Sequence, residues 1–197
     1  MISRSGPHPL ILASRSPRRR HLLEQAGLTF SVIPSTFDED TVPVGLPENH
    51  VLMLAKAKAM DVALLYPESW IIGADTIVLI GDTILGKPRT ETEARRMLKA
   101  LSGKTHRVLT GFCICCMAAR RSFSQTVETK VLFKALCESE IDWYISTAES
   151  FDKAGAYAVQ GLGSILVRSI HGSYTNVVGL PLCEVVGFLL TEGVVQR

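Results

Sequence analysis

The residue run with the greatest chemical potential is Ser14-Arg15-Ser16-Pro17-Arg18-Arg19. A short apolar stretch, Pro9 to Ala13, ends there and reads as a buried strand. The following segment to Gly27 reads as a helix, with Ser16 as N-cap, Pro17 as first helical residue and Gly27 as stop. A helix start exposes unpaired backbone N–H groups and the positive end of the macrodipole, so a strand-turn-helix junction can hold a phosphate. Arg18 and Arg19 in the first turn oppose that dipole, and an anion resolves the conflict, because guanidinium groups grip phosphate oxygens with two prongs. The alternative is a basic helix start that simply faces solvent.

Two further residues are out of place for their surroundings. In the helix expected over Pro47 to Leu65, Val51, Leu54, Ala55, Val62 and Leu65 form an apolar stripe, and at about 100° per residue Lys58 falls in its middle. A lysine there either snorkels to water or finds an anion; Lys56, on the margin, reads as a surface residue. Asp75 interrupts an apolar strand, Trp70 to Ala74 before it and Ile77 to Ile80 after Thr76. A carboxylate so placed must be paired, hydrogen-bonded or bound to metal. It is a candidate base or ligand, against the alternative of a strand-end aspartate satisfied by local backbone N–H groups. The loop Phe37-Asp38-Glu39-Asp40 offers three carboxylates, suited to a hard cation such as Mg²⁺ or to plain exposure. Leu85-Gly86-Lys87-Pro88 fixes the direction of a lysine without naming its target. In Asp152 to Gly161, small residues let backbone approach a ligand, and Gln160 could offer both a donor and an acceptor to a base edge.

These residues need a scaffold. The expected strands are Phe30 to Pro34, Trp70 to Val78, Thr83 to Leu85 across a Gly81-Asp82 turn, Val108 to Ala118 and Phe123 to Leu136 across an Arg120-Arg121 turn, and Ser164 to Ile170. A helix follows the Thr90-x-x-Glu93 capping box and ends at Gly103; others cover Ser139 to Ala148 and Pro181 to Leu190. Strands separated by helices but also paired through hairpins predict an α/β fold with a central mixed, twisted sheet flanked by helices. With 197 residues, no internal repeat and no long linker, the expectation is a single domain over residues 1–197.

Bulk properties exclude several classes. A net charge of +2 gives no concentrated basic face for nucleic acid. No apolar run reaches the roughly eighteen residues that span a bilayer, and the opening MISRSGPHPLILAS lacks the apolar core of a signal peptide, so a cytoplasmic chain with no membrane association is expected. Five irregularly spaced cysteines do not describe a secreted disulfide framework. Cys113, Cys115 and Cys116 read as buried strand cysteines in preference to a zinc site, and Cys137 and Cys183 as packing residues.

Taken together the motifs resemble the Maf family of nucleotide pyrophosphatases. Ser14 to Arg19 matches the family's opening motif. In order there follow Asp38-Glu39, Lys58-Ala59, Gly73-Ala74-Asp75-Thr76, Gly86-Lys87-Pro88, and Thr105-His106 leading to Thr110-Gly111. Asp152-Lys153-Ala154-Gly155-Ala156-Tyr157 with Gln160-Gly161, then Gly172-Ser173-Tyr174 and Val178-Gly179-Leu180-Pro181, complete the set. The segment ending in Gln160-Gly161 resembles the branch acting on dTTP and UTP rather than on 7-methyl-GTP. The chain departs at Met53, where the family often has arginine, and at Ala158-Val159 in place of Gly-Ile.

The resemblance implies a Maf/ITPase-like nucleotide-binding cleft. It implies Asp75 as proton acceptor, and Arg18, Thr76 and Gln160 as specificity positions. It further implies Ser14, Ser16, Arg18, Arg19, Lys58 and Lys87 on the phosphates, Glu39 and Asp75 on a divalent cation (Mg²⁺ or Mn²⁺), and a homodimer. The expected reaction is attack of a water on the α-phosphorus, releasing the nucleoside monophosphate and pyrophosphate in nucleotide-pool house-cleaning. A rival reading, resting on the family's link with septum formation, is a non-catalytic nucleotide sensor that regulates cell division.

Overall fold

The computed structural model describes residues 3–4, 8–43 and 45–196. Residues 1–2 and 5–7 of the opening MISRSGPHPLILAS, which lacks the apolar core of a signal peptide, lie outside the described residues. The strands are β1 (Ser3–Arg4), β2 (Leu10–Leu12), β3 (Ser31–Val32), β4 (Trp70–Ile80), β5 (Thr83–Leu85), β6 (Thr105–Cys116), β7 (Arg121–Phe133), β8 (Val167–His171) and β9 (Val195–Gln196). The helices are α1 (Pro17–Gln25), α2 (Pro47–Ala63), α3 (Glu91–Leu101), α4 (Glu138–Ser146), α5 (Tyr174–Val178) and α6 (Leu182–Thr191). Seven strands form one sheet in the order β3-β2-β4-β6-β7-β8, with β5 paired to β4, while β1 pairs with β9. β2 runs parallel to β3 and β4, whereas β4–β5 and β7–β8 are antiparallel. The sheet is therefore mixed, because helical crossovers and tight hairpins both feed it. Among the described residues, no helix is long and apolar enough to cross a membrane.

The chain forms two compact units, residues 1–75, 110–127 and 179–197 in the first and 76–109 and 128–178 in the second. In the first, Ile11, Ile71, Cys113 and Cys115 of the sheet, with Ala13 just after β2, pack against Ala55, Ala59, Val62 and Ala63 of α2. The alanines matter because α2 comes very close to the strands. A Cβ on Gly73 would lie 2.4 Å from the Ala55 carbonyl oxygen and 2.7 Å from the Ala59 nitrogen, and one on Gly111 would lie 2.4 Å from the Val51 carbonyl oxygen. These are backbone atoms and cannot yield without lifting the whole helix. Gly73→Ala is accordingly expected to cost about 3 kcal/mol through overpacking. The measurement is the urea midpoint at unchanged m-value; a midpoint matching the parent protein would show that α2 can move away freely.

In the second unit, Ala94, Met97, Leu98 and Leu101 of α3 and Ile141, Tyr144 and Ile145 of α4 share a core with Val78, Leu85, Val108, Val131 and Phe133 of the strands. Tyr157 and His106 are buried here too, joined by a 2.7 Å hydrogen bond. Burial pushes His106 down to about 4, so the imidazole is neutral at ordinary pH and is not a proton donor for chemistry.

Three local expectations are corrected. Ser164 to Leu166 are not strand but the end of a 3₁₀ helix, Gly161–Leu166, so β8 begins at Val167. The capping box of α3 is half made: Thr90 Oγ accepts from the Glu93 amide, but the Glu93 carboxylate turns to the Arg89 amide instead of the Thr90 amide. Cys137 and Cys183 are exposed, not packed. Cys137 sits at the start of α4 with its Sγ 3.1 Å from Ser139 Oγ, and Cys183 lies in the first turn of α6, both places where the chain meets water. The buried reading of Cys113, Cys115 and Cys116 agrees with the structure.

Candidate active site

The close approach of α2 to β4 decides what Lys58 meets. Side chains on a strand alternate, so Asp75 shares with Gly73 the face against which α2 lies. Lys58 precedes Ala59, the residue in contact with Gly73, and its ammonium donates to Asp75 Oδ1 at 2.7 Å. The same ammonium lies 2.9 Å from Glu39 Oε1. Lys58 and Asp75 are nearly buried, at 12% and 13% side-chain exposure, while Glu39 at 55% opens to solvent. Both odd residues of the sequence thus satisfy one another: the lysine has its anion and the strand carboxylate its charge partner. Glu39 belongs to a 3₁₀ turn, Glu39–Thr41, capped by the Asp38 side chain. That loop is tied to α2 by Asp61, one turn beyond Lys58, whose carboxylate accepts from Ser35 Oγ and the Thr36 amide, both at 2.8 Å. These bonds hold Asp61 below the usual carboxylate range. Asp61 was not singled out from the sequence; a lone aspartate on the flank of a helix gives no local sign of its partner.

The Ser14–Arg19 turn stands in the same unit. Ser16 caps α1 by accepting from the Arg19 amide at 3.4 Å. Ser14 Oγ accepts from the Ser16 amide at 3.2 Å and from Arg19 Nη1 at 3.1 Å. Arg19 Nε donates to the Gly179 carbonyl at 2.8 Å, so this guanidinium is anchored from both ends of the chain. Burial lowers its pKa from the ordinary value; Asp75 pulls it back up, Arg18 pushes it down and Glu39 raises it again. Those influences place Arg19 within electrostatic reach of the Lys58 cluster. The first unit therefore gathers Ser14, Ser16, Arg18, Arg19, Glu39, Lys58 and Asp75. Met53, where the family often has arginine, is half exposed on α2.

Thr76, Lys87 and Gln160 are carried by the second unit. Lys87 is exposed, and its neighbour Gly86 accepts at its carbonyl from the Gly155 amide at 3.0 Å. Gly155 adopts φ 72° against Val78, whose Cγ1 would lie 3.0 Å from an added Cβ, so only glycine suits this crossing. The loop bearing Lys87 is thereby fastened to the segment that leads to Gln160. Gln160 is half-buried and stands at the N-cap position of the 3₁₀ helix Gly161–Leu166, without a capping bond from its side chain.

The chemistry of the donor set fits a hard divalent cation. Two carboxylates converge on one ammonium, which neutralises one of their two charges, and both present oxygen atoms. Mg²⁺ is commonly held by one or two carboxylates together with substrate phosphates instead of a complete protein cage. Among the described residues no group of three or more His, Cys, Asp or Glu forms such a cage.

A family model described as Maf-like protein matches residues 9–192. The dTTP/UTP pyrophosphatase of Syntrophus aciditrophicus (strain SB) is 50% identical over 184 residues, covering 93% of this chain and 90% of that protein. The dTTP/UTP pyrophosphatase of Halalkalibacterium halodurans is 49% identical over 189 residues, covering 96% of this chain and 98% of that protein. Among solved structures, a HAM1 protein from Coxiella burnetii overlays with TM-score 0.43 at 14% identity, over 64% of this chain and 73% of that one, too slight a likeness to bear on function.

Proposed function

The chain belongs to the Maf family, and from that premise we propose that it hydrolyses dTTP and UTP to the monophosphate and pyrophosphate. The observation that carries the reading is the Lys58 ammonium between Asp75 and Glu39, within electrostatic reach of a basic helix start anchored by Arg19. A triphosphate needs such a site: cations for its oxygens, and a carboxylate at the cleavage point.

In the proposed reaction Asp75 takes a proton from a water as the water oxygen bonds to the α-phosphorus. The α–β anhydride bond breaks, and pyrophosphate leaves with the electron pair. Arg18, Arg19, Lys58 and Lys87 hold the phosphate oxygens and stabilise the charge that gathers on the leaving group, with Ser14 and Ser16 shaping the turn. A divalent cation, Mg²⁺ or Mn²⁺, would be held by Glu39 and Asp75 and would supply charge neutralisation on the triphosphate. Arg18, Thr76 and Gln160 set the choice of base, since a site built from hydrogen bonds rejects a mismatched partner strongly. The proposed setting is the cytoplasm, with support from five free cysteines, and the proposed assembly is a homodimer.

The test is a panel of UTP, dTTP, CTP, GTP and 7-methyl-GTP with Mg²⁺ or Mn²⁺, with products identified. UTP and dTTP are expected to exceed the others in kcat/KM by about 100-fold or more, with pyrophosphate as co-product. Orthophosphate release would place the cleavage elsewhere, and preference for 7-methyl-GTP would overturn the substrate assignment.

A further inference from the structure

Gln160 sits in a segment whose conformation is imposed from one side by a single carboxylate. Glu149 lies in the loop after α4. Its Oε1 accepts from the Leu162 amide at 3.2 Å, and its Oε2 from the Gly163 amide at 3.3 Å and the Tyr144 hydroxyl at 3.4 Å. Tyr144, fully buried on α4, in turn accepts at its hydroxyl from the Ala158 amide at 3.0 Å. Val159, Gln160 and Gly161 are therefore bracketed, with Ala158 fixed on one side and Leu162 and Gly163 on the other. Gly161 lets the bracket close: its φ is +65°, and a Cβ there would stand 2.7 Å from Glu149 Oε1. The Glu149 carbonyl also accepts from Lys153 Nζ at 2.7 Å, tying the start of the same segment to the same residue. The two backbone amides are taken by different oxygens of one carboxylate, an arrangement that a glutamine does not reproduce, because its second terminal atom is an NH₂ that donates and the side chain carries no charge.

We infer that Glu149, acting with Tyr144, is a positioning residue for base selection, holding the turn that presents Gln160. Neither side chain need touch substrate. The inference rests on the proposed role of Gln160 in reading the pyrimidine, and it adds the residues that aim it. A glutamine whose backbone wanders by a fraction of an ångström loses the alignment on which two-point recognition of a base edge depends.

The experiment compares UTP and CTP hydrolysis in the parent protein, Glu149→Gln, Glu149→Ala and Gln160→Ala, with KM and kcat resolved separately. Glu149→Gln keeps the size and one acceptor, and kcat/KM for UTP is expected to fall about tenfold, through KM, as one charge-assisted bond is lost. Glu149→Ala is expected to lose about 100-fold as both are lost. CTP hydrolysis should change by less than about threefold, so that the UTP/CTP ratio contracts as it does in Gln160→Ala. A UTP/CTP ratio unchanged in both Glu149 variants while Gln160→Ala collapses it would overturn the positioning role alone. An equal loss of kcat on both nucleotides would also overturn it, as that is the mark of general disorder. A parent protein with no UTP preference, or a Gln160→Ala variant that retains it, would overturn the base-reading assignment and this inference with it. Should Glu149→Ala fail to fold, Tyr144→Phe removes the hydroxyl alone, and the same contraction of the ratio is required of it.

Discussion

Asp75→Asn is expected to lower kcat for UTP by about 10³-fold, within the range general-base catalysis contributes, with the fold retained. The substitution is nearly isosteric. The side-chain oxygen at position 75 can still accept from the Lys58 ammonium, so the 2.7 Å contact and the packing of α2 against β4 survive. What is lost is the ability to take a proton and the charge that a cation would share. The reading of Asp75 as base rests on its place: a nearly buried carboxylate in an otherwise apolar strand, turned toward α2 by the pleat and left with a lysine as its ion-pair partner. Single-turnover release of radiolabelled pyrophosphate, with a melting curve alongside, separates chemistry from folding. Turnover within threefold of the parent would remove Asp75 from the reaction.

Lys58→Met is expected to have two consequences, and their combination is diagnostic. Removing the ammonium leaves Asp75 and Glu39 as facing carboxylates without the cation that joins them, a loss worth about 3 kcal/mol when a nearly buried pair is broken from one side. Hydrolysis of UTP should fall about 100-fold, as for loss of a group that stabilises developing charge. At the same time the two carboxylates become available to a divalent cation in the absence of nucleotide, because the ammonium no longer lies between them. Mn²⁺ added to the nucleotide-free variant should therefore raise its melting temperature by linkage more than it raises that of the parent, and should be retained more tightly in a titration of free Mn²⁺ by electron paramagnetic resonance. Equal Mn²⁺ responses in the two proteins would show that Glu39 and Asp75 do not share a cation.

How much of this was visible in the chain depends on the range of the interaction involved. The Ser16 cap, the Pro17 start and the Thr90 cap are matters of three or four consecutive residues, and local hydrogen bonding alone dictates them. The hairpin at Gly81-Asp82 likewise follows from a residue free to take positive φ, Gly81 at 57°, whereas Arg120 takes φ 52° without that freedom. The conflict at Asp75 and at Lys58 could be read from periodicity, because each breaks a pattern of apolar neighbours. That each residue resolves the other's conflict could not. Seventeen positions separate them, and their meeting depends on α2 lying against β4 at a distance permitted by Gly73, Ala55 and Ala59.

The same limit applies to the remaining contacts of the site. Arg19 stands out in the sequence by its charge at a helix start, yet its Nε is committed to the Gly179 carbonyl, 160 residues away, a partner without any side-chain signature. Asp61 and Glu149 each hold a loop by accepting backbone amides, and a backbone amide is present at nearly every residue, so no pattern marks which ones they take. Cys137 and Cys183 are the opposite case, since a cysteine's preference for burial yields to its place at the start of a helix, where both are exposed. Residue types and their spacing thus marked which charged groups stand at a helix start or break an apolar pattern. Which of them neutralise one another, and which backbone segments they hold in place, was settled by close packing between elements far apart in the chain, because charge pairing and amide capture act over a few ångströms of space regardless of sequence distance.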